Sequence, residues 1–124
     1  MPRRLPAVAP FVALALACVA SLACLSCDSP TLPLPPPMAP TVTAGSDANH
    51  FKLTSACGGV EGGVTVIIEN IDTTLADDQR VTGTLASPCG SWDAIVYGNR
   101  GDVLNITQDD GSVVSSPEVF QLPQ

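Results

Sequence analysis

From Thr41 onward the chain is a succession of short β-prone runs, each cut by Gly, Asn, Asp or Pro before it could reach helical length. That punctuation constrains the fold more than any other feature, because no stretch keeps a 3.6-residue period for long enough to bury a helix face. The runs are Thr41–Ala44, His50–Ser55, Val64–Asn70, Arg80–Ala86, Trp92–Tyr97, Val103–Gln108 and Val119–Leu122. In three of them the alternation is clear. Val64, Val66 and Ile68 share one side against Thr65, Ile67 and Glu69; Val81, Gly83 and Leu85 alternate with Arg80, Thr82 and Thr84; Leu104 and Ile106 alternate with Val103, Asn105 and Thr107. Seven strands at this spacing predict an all-β domain, a small antiparallel sandwich of two sheets. Trp92, the single tryptophan, begins the fifth run and is expected between the sheets with Ala94 and Val96 behind it.

The first forty residues have a different character. Arg3 and Arg4 precede an uncharged apolar run from Leu5 to Ala23, which ends in Ser21-Leu22-Ala23-Cys24-Leu25-Ser26-Cys27. A basic start, an apolar segment and small residues make a signal-peptide arrangement, and a cysteine at that point resembles the lipidation site of bacterial lipoprotein signals. Residues 1–23 are accordingly expected to be a signal peptide. Cys24, after Ser21-Leu22-Ala23, is the expected lipidated residue, with Cys27 as the alternative; cleavage without lipid, or retention as a membrane-spanning helix, are the other outcomes. All of them leave the rest of the chain outside the cytoplasm. The resemblance implies a lipid anchor in the membrane of a bacterial cell envelope, inner or outer.

Residues 24–40 read as a linker. Ser29 to Pro40 is too rich in proline for a helix or an inner strand, and as polyproline II its twelve residues span about 35–40 Å at ~3.1 Å each, a semi-rigid spacer. Residues 41–124 are then the sandwich domain. Every acidic side chain lies beyond Cys27, where three basic residues face twelve acidic ones, a net charge of −9. That balance argues against nucleic acids and anionic lipid headgroups as partners and leaves cations or basic partners open; an envelope protein or a glycan is the expected partner besides the membrane.

The segment Cys89-Gly90-Ser91-Trp92, with Gly101-Asp102 before the sixth run and Asp110-Gly111-Ser112 after it, resembles the C-terminal half of bacterial Ig-like and carboxypeptidase-regulatory-like modules. The run Gly62 to Asn70, a strand ending in Asn, resembles the same modules. The resemblance implies a scaffold or interaction unit on a cell surface.

Few residues carry chemistry. Cys57 and Cys89 are the only cysteines within the domain and are expected to form a disulfide between strand ends, stapling the two sheets, in an oxidising compartment. Cys24-Leu25-Ser26-Cys27 spells a thiol-redox motif but sits in the export segment. His50, the sole histidine, has no nucleophile motif with it and is expected to be an exposed residue at a strand start. Asp72, Asp77 and Asp78, and Asp109 and Asp110, fall in two loops; without calcium-loop spacing they are expected to be solvated turn acids. No catalytic residue, metal site or cofactor is expected. The expected function is a non-enzymatic, lipid-anchored structural or binding module, with a calcium- or carbohydrate-binding module, or a thiol-redox protein, as alternatives.

Overall fold

The computed structural model describes residues 32–45, 47–72 and 74–124. Seven strands form: β1 (Thr41–Ala44), β2 (His50–Ser55), β3 (Thr65–Asn70), β4 (Val81–Leu85), β5 (Trp92–Tyr97), β6 (Val103–Asp109) and β7 (Glu118–Gln121). Four of the expected runs shift by a residue at one or both ends. A single helical turn, α1 (Asp77–Arg80), occupies the approach to β4, where loop and the first strand residue, Arg80, were expected. The strands lie in two antiparallel sheets, ordered β1-β2-β5 and β4-β3-β6-β7. The all-β two-sheet sandwich is the observed fold.

Alternation explains the core. Phe51 and Leu53 of β2 and Trp92, Ala94 and Val96 of β5 point inward from one sheet; Val66 and Ile68 of β3 and Leu104 and Ile106 of β6 point inward from the other. Burying each of the larger aliphatic side chains contributes about 1.5–3 kcal/mol. Trp92 lies in this core as expected. Val64, just ahead of β3, and Leu122, just past β7, close the two ends of the core.

The fourth strand turns its apolar side outward. Val81, Gly83 and Leu85 face solvent, while Thr82 and Thr84 turn toward the other sheet, where Thr84 Oγ1 donates to the Asp93 carbonyl at 3.0 Å. The cause is register. Thr84 and Thr82 stand opposite the buried Val66 and Ile68 of β3, and residues opposite each other share a face, so Val81 and Leu85 are carried outward.

Two inward positions are polar. Asn70 continues the parity of Val66 and Ile68 and is buried; its Nδ2 donates to the Tyr97 carbonyl at 3.2 Å and to Asp102 Oδ2 at 2.9 Å, and its Oδ1 accepts from Asp72 N at 2.9 Å. Gln108 continues the parity of Leu104 and Ile106. Its Oε1 accepts from Glu61 N at 2.8 Å and its Nε2 donates to the Pro35 carbonyl at 2.6 Å. Met38 N donates to the Gly59 carbonyl at 2.8 Å, and Pro37 and Pro40 are buried. Residues 35–40 are therefore part of the folded body, and the expected spacer is shorter by that length.

Candidate functional site

The β1–β2 connection and the outer face of the three-stranded sheet frame a groove of about 470 Å³. Gly45 makes the connection possible: its N–H donates to the His50 carbonyl at 2.7 Å, and a Cβ there would lie only 2.6 Å from that oxygen. His50 opens β2 opposite Tyr97 of β5, and the two rings meet edge to face with centroids 4.5 Å apart at 78°. On the other side Asp47 Oδ2 lies 3.4 Å from His50 Nδ1, a close approach without the alignment of a hydrogen bond.

Lys52 follows His50 on the same face, its Nζ 3.7 Å from Asp93 Oδ2, and Ile95, opposite Lys52 in register, is 62% exposed. The groove thus joins an acid, an imidazole and an ammonium to the apolar side chains of Ile95 and Ala44. That set suits recognition of a small polar ligand with an apolar side. His50 does stand at a strand start, but it is only a third exposed because Tyr97 covers one side. Sequence reasoning missed the groove, since its members come from three strands and a turn that only the β1–β2 and β2–β5 registers bring together.

Cys57 and Cys89 are bonded to each other, with Cα atoms 5.0 Å apart. The bond does not staple sheet to sheet. Cys57 follows β2 and Cys89 precedes β5, and these strands are neighbours in the same sheet, so the bond joins two loops at one end of that pair. Gly58 N donating to the Cys89 carbonyl at 2.7 Å and Val60 N to the Gly90 carbonyl at 3.2 Å extend the contact between the loops. Gly90 has φ +80°, and a Cβ on it would collide with the Val60 carbonyl. Both cysteines are exposed.

The loop carboxylates are engaged locally. Asp110 Oδ1 accepts from Ser112 N at 2.7 Å and Val113 N at 2.8 Å, and these amides hold its carboxyl below the usual carboxylate range. The Thr74 amide and hydroxyl, each 2.9 Å away, lower that of Asp72 in the same way. Asp109 Oδ1 accepts from Gly111 N at 2.8 Å, and Asp77 contacts Arg80 at 3.5 Å. Among the described residues no three His, Cys, Asp or Glu side chains gather as metal ligands. Cys24 and Cys27 lie outside the described residues.

Compared with protein-family models, with curated proteins and with solved structures, the chain finds no match in any of the three.

Proposed function

We propose that this chain is a lipid-anchored β-sandwich on the outer side of a bacterial membrane, acting as a non-enzymatic structural or binding module. One observation carries the reading: the Arg3-Arg4 start, the apolar run and Cys24 lie shortly ahead of a proline-rich segment whose last residues are hydrogen-bonded onto a disulfide-bonded domain. A disulfide belongs to an oxidising, extracytoplasmic compartment, which supports export. The strand order supports the Ig-like side of the resemblance. In Ig-like sandwiches the first, second and fifth strands share one sheet and the third, sixth and seventh the other. The order β1-β2-β5 and β4-β3-β6-β7 keeps both sets and places the fourth strand beside the third. The groove beside His50 and Tyr97 supports binding, with glycan as a ligand class that an acid and an aromatic ring suit.

The test is the mass of the mature N-terminus after expression in a bacterial host. A diacylglyceryl cysteine at position 24, with partition into detergent that is lost in Cys24→Ala, is the expected result. A lipidated Cys27 keeps the class and moves the anchor by three residues. An unmodified N-terminus beyond Cys27 overturns the proposal.

A further inference from the structure

The outer side of the four-stranded sheet carries an apolar patch that the described residues leave exposed. Register sets Leu85, Thr65 and Asp109 in one row, Gly83, Ile67 and Thr107 in the next, and Val81, Glu69 and Asn105 in a third. Leu85 is 71% exposed and Val81 54%. Between them, on an edge strand, stands a glycine whose added Cβ would meet nothing within 4 Å. Glycine weakens a strand interior and is common where another chain approaches closely. β4 therefore has a notch between two aliphatic side chains, with the partly buried Ile67 next to it.

The charge around this notch is mostly negative. Glu69 lies in the third row, Asp109 ends the first, and Asp77 and Asp78 open the turn that leads into Val81. Arg80 is already held by Glu69 at 3.4 Å and Asp77 at 3.5 Å. The other described cations are elsewhere, Lys52 on the opposite sheet and Arg100 donating to the Gln124 carbonyl at 3.0 Å.

We propose that this face docks a basic protein segment, seating one apolar side chain in the Gly83 notch between Leu85 and Val81, while flanking Lys or Arg side chains meet Glu69, Asp109 and the carboxylates of α1. Charge complementarity selects that occupant. A second copy of the chain brings the same carboxylates together, and an anionic bilayer is repelled by them. The inference gives the proposed binding module a partner class; it rests on that reading but on neither the anchor nor the groove beside His50.

The test titrates the full chain, in nonionic detergent, with a synthetic peptide alternating Leu and Lys and with one alternating Leu and Ser. The lysine peptide is expected to bind, and to weaken about tenfold or more between roughly 0.05 M and 0.5 M salt. The serine peptide is expected to bind at least about tenfold more weakly. A Cβ at Gly83 meets nothing within 4 Å and valine suits a strand, so Gly83→Val should keep the melting temperature yet, by filling the notch, weaken lysine-peptide binding about tenfold. Leu85→Ser should weaken it similarly, and Met38→Ser, exposed beside the other sheet, should not. Undetectable binding, equal binding of the two peptides, or binding unchanged in both Gly83→Val and Leu85→Ser overturns the proposal. So does a wild-type dimer in sedimentation that Gly83→Val dissociates, since the occupant is then a second copy. Failure of the anchor reading shows instead in the N-terminal mass and leaves peptide binding unchanged.

Discussion

Gln108 and Asn70 are amides at positions where alternation calls for an aliphatic residue, and each ties together chain segments distant in sequence. Gln108 binds the Pro35 carbonyl and the Glu61 amide from within the core. Gln108→Ala leaves both groups without their partner and opens a void, so it should destabilise the domain by about 1–3 kcal/mol in urea unfolding. A loss well under that range would show that water replaces both bonds. Asp110 supports a pH prediction. Backbone amides lower its carboxyl below its ordinary 3.8, so its contribution to stability is fully present above the unfolded value and is lost as pH falls through the lower folded one. Asp72 follows the same sign for the same reason. The difference in melting temperature between wild type and Asp110→Asn should be constant from about pH 6 to pH 5 and narrow only below about pH 4. A difference that narrows already near neutrality would exclude the carboxylate as its source.

Among the elements, β2, β3, β5 and β6 were legible because their apolar residues alternate and their inward sides are filled by Phe, Leu, Ile, Val and Trp. β4 was legible as a strand but not as to face. An edge strand with one glycine and only two apolar outward residues is a weak pattern, and pairing with β3 overrides it. The one-turn α1 left no periodic trace, because four residues are too few to show one. The disulfide shows the same division. The pair was readable from the cysteine count, whereas its placement on neighbouring strands of one sheet required the topology. Between its cysteines the chain leaves that sheet, forms β3, α1 and β4, and returns, so the bond closes a long excursion. Replacing both cysteines by Ala should lower stability by roughly 2–4 kcal/mol. Peptide mapping without reductant should recover the Cys57–Cys89 link; two free thiols there would remove the bond from this description.

Across the whole domain the strands define two ends. The chain enters at the end where Pro35 meets Gln108 and where the disulfide lies; the β1–β2 turn with Asp47 and His50 is at the opposite end. A partner or ligand at the groove therefore meets a part of the domain remote from its entry point. What the sequence determined by itself is local: the strand positions, the turns between them, the inward parity that buries Trp92 and its neighbours, the net negative charge, and the cysteine pair. Alternation and turn chemistry act over a few residues, so they can be read along the chain. Only the tertiary structure decided the sheet order, the outward turn of Leu85 and Val81, the docking of Pro35 onto Gln108, and the meeting of His50, Tyr97 and Asp47. These depend on register between segments far apart in the chain, and that register is set by how two whole sheets close over one core.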